Sequence, residues 1–227
     1  ISADLIYGLP NRTLSFEEEL KQFVALPVDH LSAYILTVEG RTVLGRRVER
    51  GAEAVPEDDV LEAEYHQLCQ AMAEAGFEHY EVSNWAKLGG HAVHNQHYWS
   101  GLPYWGIGPG AHGFNGARRY ANVANNPKYI QALADASSAS DMPCEAETLT
   151  PTDRYNESLM TGLRTAQGIA LTDLENRFGL RPDATEPEAW QRFLNRGILK
   201  EIGSGVYRIA EPHWVMADAI AAELFVA

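Results

Sequence analysis

The sequence contains little cysteine. Its 227 residues include two, Cys69 and Cys144, which lie far apart and form no CxxC pair. Two separated thiols cannot supply a disulfide framework, and they cannot build a metal site from cysteine alone. Such sparse cysteine is typical of proteins in a reducing compartment, so we expect a cytoplasmic protein.

Basic residues are also few, and long apolar runs are missing. Lysine and arginine total 18 against 31 acidic residues, which gives a formal charge of −13. A chain this acidic should be repelled by phosphate backbones, so a nucleic-acid partner is not expected. No apolar run approaches the roughly 18 residues that a spanning helix needs, so an integral membrane segment is not expected either. With 45% hydrophobic and 22% charged residues, the composition is that of a globular protein.

Residues 1–37 follow a strand, helix, strand pattern. The apolar run Leu5-Ile6-Tyr7 ends at a Gly-x-Pro turn, and Ser15 with Glu18 forms a capping box for a helix over about 15–25. A second apolar segment, 30–36, follows after a short connection. This order predicts a parallel crossover unit and an α/β fold. Because the chain begins inside a strand, without an initiator Met or a signal peptide, we expect a fragment of a longer protein.

The middle of the chain predicts one long helix and then a less regular region. Helical spacing runs from Pro56 to the C-cap Gly76, and 77–83 is predicted to be a third strand. The next 40 residues are rich in Gly, Asn, His and aromatics with little periodicity. A long irregular stretch within a compact domain is usually functional.

The C-terminal region is predicted to be mainly helical. A helix begins at Asn126-Pro127, and 136–142 has the composition of a linker. Helices from about 151, 172 and 187 precede a hairpin of 199–202 with 206–209, and a last helix covers about 213–225. This is the order of a winged helix, although its helices carry few clustered cations. We therefore divide the chain into 1–118, a helix and linker over 119–147, and a winged-helix-like domain over 148–227.

Three features carry residues suited to ligand chemistry. Asp4 accompanies a strand expected to be buried, where a carboxylate needs donors that a ligand or the backbone could supply. The glycine-rich stretch 106–113 allows close backbone approach to a ligand, or forms a tight turn. The segment 94–99 combines two imidazoles with two large aromatic rings, which could ligate iron and stack on a flat macrocycle, or simply close a core. Zinc is a poor candidate there, because the segment completes no tetrahedral set.

Five segments in this order resemble a known family. They are Asp4-Leu5-Ile6-Tyr7-Gly8-Leu9-Pro10, Asp29-His30-Leu31-Ser32, Tyr80-Glu81-Val82-Ser83-Asn84-Trp85-Ala86, His94-Asn95-Gln96-His97-Tyr98-Trp99 and Gly106-Ile107-Gly108-Pro109-Gly110-Ala111-His112. The pattern is similar to that of the oxygen-independent coproporphyrinogen III oxidase-like family of the radical SAM superfamily. Its HNxxYW block resembles the haem chaperone branch, HemW, more than the true oxidase, HemN. The resemblance covers essentially the whole chain.

The resemblance implies cofactors and the residues that contact them. Asp4, Thr37 and His112 match positions that contact S-adenosylmethionine (SAM) in this family. Four positions match the motif associated with haem binding: His94, Asn95, Tyr98 and Trp99. The resemblance also implies a [4Fe-4S] cluster and partners that include haem, SAM and apo-haemoproteins.

Departures from the family pattern limit what this chain should do alone. The CxxxCxxC motif that holds the cluster is absent, and Cys69 and Cys144 cannot replace its three closely spaced thiolates. Early barrel strands are missing, and Asn11-Arg12 replaces the more usual Gly-Gln. The expected fold is α/β: the C-terminal part of an incomplete parallel (β/α) radical SAM barrel plus a small helical winged-helix-like domain. The cluster ligands should lie outside this chain, which should not cleave SAM by itself.

Three functions remain open from the sequence. The parent protein is expected to be a HemW-like haem chaperone that delivers haem. Alternatively, it is an oxygen-independent coproporphyrinogen III oxidase that converts propionate side chains to vinyl groups in porphyrin biosynthesis. A third possibility is a docking fragment with no ligand of its own. Enzymatic activity is therefore undecided at this stage.

Overall fold

The computed structural model describes residues 1–138 and 143–227. The chain forms two compact units. The first comprises Ile1–Ala92, Arg164–Gln167 and Ile209–Ala217, and the second comprises Val93–Leu163, Gly168–Arg208 and Asp218–Ala227. The chain thus leaves the first unit after residue 92 and returns to it twice.

The first unit contains a four-stranded sheet of order β1-β2-β4-β3. β1 and β2 run parallel, with Asp4 opposite Ser32 and Ile6 opposite Tyr34, which confirms the predicted crossover unit. The capping box of Ser15 and Glu18 is present at the start of α1. Its elements are β1 (Ser2–Tyr7), α1 (Phe16–Val24), β2 (His30–Ile35), α2 (Val43–Glu49), α3 (Asp58–Glu74), β3 (Glu78–Glu81) and β4 (Asn84–Ala86).

The predicted third strand is a hairpin. Its two halves, β3 and β4, pair antiparallel, and β4 also pairs antiparallel with β2. The sheet is therefore mixed rather than wholly parallel. Within the described residues β1 has one strand neighbour, so it forms an edge of the sheet. The core beneath the sheet is built by buried apolar side chains of α1, β2, α3 and β4: Phe16, Leu20, Leu31, Tyr65, Leu68, Met72 and Trp85.

The first half of the second unit contains a short helix and an antiparallel sheet. The stretch predicted to be irregular includes α4 and the hairpin of β5 with β6, and β7 joins β6 to complete the sheet order β5-β6-β7. Of the predicted linker 136–142, residues 139–142 lie outside the described residues. The elements are α4 (Val93–Trp99), β5 (His112–Phe114), β6 (Arg118–Asn122), α5 (Asn126–Asp135) and β7 (Cys144–Thr148).

The C-terminal part contains four helices followed by the predicted hairpin. The hairpin of β9 and β10 is present, and β8 adds a third strand in the order β8-β10-β9. The elements are α6 (Pro151–Leu163), β8 (Ile169–Ala170), α7 (Leu171–Phe178), α8 (Pro182–Thr185), α9 (Pro187–Asn195), β9 (Leu199–Gly203), β10 (Val206–Ile209), a 3₁₀ helix (Glu211–Met216) and α10 (Ala217–Ala222).

Two helix predictions in this region need correction. The last helix, expected over 213–225, is a 3₁₀ turn followed by the short α10. α7 begins directly after β8, so Thr172 lies inside the helix instead of capping it. The α/β class is confirmed, whereas the incomplete barrel, the winged-helix label and the divisions near 118 and 147 stay predictions. No helix in the described part of the chain is long and apolar enough to cross a bilayer.

Candidate functional site

Helix α4 carries the segment 94–99. All seven of its residues are described, and each is exposed or half-buried. A helix this short gains little from its own hydrogen bonds and depends on contacts with the rest of the protein. The imidazole of His94 is therefore accessible to a ligand from solvent.

His94 and Tyr98 form a pair on one face of α4. Residues four apart lie above one another on a helix, and the Tyr98 hydroxyl lies 3.0 Å from His94 Nε2. The two rings meet edge to face with centroids 4.8 Å apart. Tyr98 also meets Tyr104 edge to face at 4.5 Å. Burial raises the pKa of the Tyr104 phenol, which keeps that hydroxyl neutral.

A cavity of about 510 Å³ lies within the second unit, beside the end of α4. Small-molecule sites usually measure roughly 300–1,000 Å³. Tyr98 and Trp99 line it together with apolar side chains and several charged ones. The apolar lining includes Leu102, Tyr104, Phe114, Leu149, Met160, Ile169 and Leu174, and the cationic lining is Arg119, Arg154 and Arg177.

Carboxylates balance part of the positive charge in the cavity. Arg119 Nη2 lies 3.0 Å from Glu157 Oε1, and Arg177 Nη1 lies 2.9 Å from Asp173 Oδ2. These arginines are already oriented by their partners. A ligand that combines a large apolar surface with anionic groups would match this lining.

The structure brings most of the candidate haem residues together, but not all. His94 contacts Tyr98, and Tyr98 and Trp99 both lie on the cavity wall. Asn95 is half-buried and is the next residue after His94 on the helix, about 100° around its axis. Helical geometry therefore places Asn95 and His94 on different faces of α4.

The candidate SAM residues are divided between the two units. Asp4 and Thr37 belong to the first unit and His112 to the second. Asp4 lies opposite Ser32 on β1, whereas Thr37 lies beyond the end of β2, about 16 Å of extended chain from that level. All three side chains are exposed.

The premise that Asp4 belongs to a buried strand is wrong for this chain. β1 lies at the sheet edge, so the Asp4 carboxylate stays hydrated and needs no partner to offset burial. A role for Asp4 toward SAM remains a prediction.

The glycine-rich stretch 106–113 is a turn held by polar side chains of its own unit. The buried Asn122 amide donates to the carbonyls of Gly106 and Gly108, and Tyr120 Oη accepts from the Gly106 N–H. A Cβ at Gly113 would overlap the Tyr120 ring. The glycines thus permit close packing within the protein, and His112 opens β5 at the end of the turn.

Sequence reasoning assigned no role to Glu81, although it lies within one of the recognised segments. Its side chain is fully buried and forms an ion pair with Arg164 at 3.1 Å. Its second oxygen accepts from the Ser83 N–H and the Asn84 amide. A charged residue in the middle of a predicted strand was the signal for such a buried pair.

His30, in another recognised segment, is the first residue of β2 and is buried. Its Nε2 lies 2.6 Å from the Tyr80 hydroxyl and its Nδ1 lies 2.9 Å from Ser2 Oγ. Burial is the main cause that lowers the pKa of His30, so the imidazole is held neutral. The side chains of Glu81 and His30 therefore have their polar partners within the first unit, and both residues stabilise its fold.

Comparison with known proteins identifies relatives over nearly the whole chain. Residues 149–207 match the family model for the HemN C-terminal domain. The heme chaperone HemW of Mycobacterium tuberculosis is 36% identical over 222 residues, which cover 97% of this chain and 54% of that protein. The heme chaperone HemW of Bacillus subtilis is 32% identical over 210 residues, which cover 91% of this chain and 54% of that protein.

A solved structure has the same fold. Coproporphyrinogen III oxidase (HemN) from Escherichia coli, described as a radical SAM enzyme, matches with a TM-score of 0.73 at 16% identity. The match covers 99% of this chain and 54% of that one. The chain thus spans about half the length of the curated relatives it matches. From these matches, the chain is a HemW-like member of the HemN family.

Proposed function

We propose that this chain supplies the haem-binding part of a HemW-like haem chaperone. His94 would ligate the iron, and the whole protein would pass haem to apo-haemoproteins. The observation that carries the proposal is the accessible His94 imidazole, bonded to Tyr98 beside an apolar cavity. The names of the relatives support the same function.

The donor set fits haem. Imidazole is a common axial ligand of haem iron, and a bound haem would supply the iron and a large flat apolar surface. If Nε2 carries the proton and donates a hydrogen bond to the Tyr98 hydroxyl, the lone pair of Nδ1 would be available to bind iron. Tyr98 then fixes the tautomer and ring orientation from outside the coordination shell.

The lining of the cavity suits the rest of the molecule. Tyr98 and Trp99 offer aromatic surface on which a macrocycle stacks, while Arg119, Arg154 and Arg177 offer donors for its carboxylates. Exposure of α4 leaves His94 accessible to a second protein. Accessibility on one side is what transfer to an apo-haemoprotein requires.

The two thiols of this chain are not suited to hold a [4Fe-4S] cluster. Cys69 lies on α3 and Cys144 on β7, and both are free. Because a [4Fe-4S] cluster needs closely spaced thiolates, we assign its ligands to residues outside this chain. Asp4, Thr37 and His112 remain our proposed contacts for SAM, whose cleavage this chain would not perform alone.

The second candidate function is that of a coproporphyrinogen III oxidase. The likeness to the Escherichia coli enzyme favours it, but at 16% identity that likeness concerns the fold. Relatives at 32–36% identity carry the chaperone name instead. The oxidase hypothesis predicts an activity of the full-length protein with its cluster reconstituted. With SAM and under anaerobic conditions, that protein should convert coproporphyrinogen III to protoporphyrinogen IX.

Haem titration of the 227-residue chain tests the chaperone proposal. We expect a defined Soret band with saturable binding, and we expect His94→Ala to shift that band and weaken affinity by more than about tenfold. His97→Ala is the matched control, because His97 is exposed on the same helix. A His94→Ala spectrum and affinity equal to those of the parent chain would remove His94 as the ligand. No haem binding at all would favour the docking fragment.

A further inference from the structure

A group of side chains suited to binding a metal ion lies in the first unit. Cys69 on α3, His79 on β3 and Glu211 at the start of the 3₁₀ helix each present one donor atom, and the three atoms lie within 4.8 Å of one another. Cys69 and His79 are ten residues apart in the chain, and Glu211 lies 132 residues after His79. Thiolate, imidazole and carboxylate are the donors that zinc takes.

The imidazole of His79 is held in one orientation. Its ring stacks on Trp85 at 4.1 Å and meets the edge of Trp214 at 4.4 Å. Nε2 lies 3.2 Å from the Val82 carbonyl, which can only accept, so the Nε2–H tautomer donates to that carbonyl. In that tautomer Nδ1 faces Cys69 and Glu211 with its lone pair. A metal-binding histidine usually has its second nitrogen fixed in this manner.

In the Nε2–H tautomer, the contact between His79 and Glu211 is completed by a proton or a cation. Nδ1 lies 2.8 Å from Glu211 Oε1, so two acceptor atoms face each other unless a proton or a cation lies between them. Cys69 Sγ lies 3.9 Å from the same Nδ1. A proton would bind two of these atoms, whereas a metal ion would bind all three.

The two distances from His79 Nδ1 to the other donors are close to those of a tetrahedral zinc site. Bond lengths to zinc place nitrogen and sulfur about 3.6 Å apart and nitrogen and oxygen about 3.4 Å apart. The Cys69 sulfur would approach by a few tenths of an ångström, and the carboxylate would withdraw by about half an ångström. Glu211 is half exposed, so its side chain can move and the ion can enter from solvent.

The environment of Cys69 disfavours free thiol chemistry. Burial, with a further contribution from the Glu211 carboxylate, raises the pKa of the Cys69 thiol to about 12. The free thiol is therefore neutral and unreactive at pH 7. A divalent cation would offset the carboxylate and release the thiol proton, as metal binding to cysteine does.

We propose that Cys69, His79 and Glu211 form a zinc site, with water as the fourth ligand, that fixes the segment Ile209–Ala217 to the first unit. The three donors link α3, β3 and the 3₁₀ helix, all of which belong to that unit. The site does not depend on haem, SAM or the cluster.

Metal titration of the 227-residue chain tests this site. With cobalt(II) chloride as the probe, we expect one equivalent to give tetrahedral d–d bands and a thiolate charge-transfer band, both abolished by zinc chloride. Cys69→Ser and His79→Gln should weaken affinity by at least about 100-fold, the upper end of what loss of a supporting group costs. Glu211→Gln should weaken it by about tenfold, because the amide oxygen can still ligate.

The control is the other cysteine, in Cys144→Ser. Cys144 is exposed on β7 in the second unit, so this variant should bind cobalt like the parent chain. Zinc should also raise the melting temperature of the parent and of Cys144→Ser, but not of Cys69→Ser. Cobalt spectra without a thiolate band, or affinity unchanged in both Cys69→Ser and Glu211→Gln, would overturn the proposal.

Discussion

Two segments rich in histidine and aromatic residues have opposite surroundings in this protein. In the β3–β4 hairpin, Glu81, Asn84 and Trp85 are buried, and the Glu81 carboxylate has polar partners at both oxygens. On α4, His94 and Tyr98 are exposed and meet each other beside a cavity. The two segments have similar composition and are separated by six residues of the chain, 87–92.

The difference shows what residue types alone leave undecided. A histidine or a carboxylate whose hydrogen bonds are completed inside the protein contributes to folding. The same group left accessible, with an apolar cavity next to it, is available to a ligand. Substitutions at Glu81, Asn84 and Trp85 of the hairpin should therefore change stability, and substitutions in α4 should change binding.

The largest expected effect is that of Glu81→Ala. It would leave the Arg164 guanidinium, which is 16% exposed, without its carboxylate partner. Removing one member of a buried pair usually costs about 3–5 kcal/mol of unfolding free energy, and the Ser83 N–H and the Asn84 amide would also lose their acceptor. Urea denaturation followed by circular dichroism would measure the loss.

A matched control for Glu81 is Glu147→Ala. Glu147 also pairs with an arginine, Arg119, but both side chains are largely exposed. The expected cost is below about 1 kcal/mol. Equal losses in the two variants would mean that the Glu81 pair contributes no more to stability than a surface contact.

A smaller effect is expected from Tyr98→Phe, and it concerns haem affinity. The phenylalanine keeps the ring contacts with His94 and Tyr104 but removes the hydroxyl next to His94 Nε2. Loss of a supporting hydrogen bond to a metal ligand costs about tenfold or more in affinity. Unfolding free energy should change by less than about 0.5 kcal/mol. Tyr34→Phe, at an exposed position on β2, is the control for haem titration.

Local signals were enough to predict the framework of the first unit. The capping box of Ser15 and Glu18 set the start of α1, and the apolar runs on either side predicted the parallel pair β1 and β2. Short-range hydrogen bonds and hydrophobic spacing determine these elements, so they can be found in a single sequence.

Tertiary contacts explain the structural features that local sequence signals did not predict. The turn between β3 and β4 is held by Glu81, whose partner Arg164 lies 83 residues further along the chain. α7 begins early because Ala170, just before it, pairs with Val206 of the hairpin. Neither contact has a local signature.

The candidate site could be predicted only in part. The spacing of His94 and Tyr98 implies a contact once the segment is helical, but the composition of 84–124 suggested irregular structure. The cavity beside Tyr98 is also lined by residues of α6 and α7, more than 50 residues away. The grouping of Cys69, His79 and Glu211 depends on Glu211, which lies 132 residues after His79, so it left no pattern in the sequence.

The smallest expected effect is the pH response of His30, the buried counterpart of His94. Burial is the main cause that lowers its folded-state pKa; His91 and the N-terminal ammonium lower it further, and Asp4 opposes them. The folded state therefore binds fewer protons than the unfolded chain, whose histidine pKa is about 6.5. Stability is fully present above that value and is lost as the pH falls below it. One proton limits the slope to about 1.4 kcal/mol per pH unit.

Melting temperatures measured from about pH 7.5 to about pH 5.5 would show this effect. The parent chain should lose stability more steeply than His30→Gln, which keeps polar contacts with Ser2 and Tyr80 but cannot titrate. His66→Gln, at an exposed position of α3, should follow the parent chain. If His30→Gln and the parent lose stability in parallel, the neutral buried imidazole has no part in the acid sensitivity of the sheet. The contrast between buried and exposed polar groups would then depend only on the stability of the Glu81 variant and on haem binding at α4.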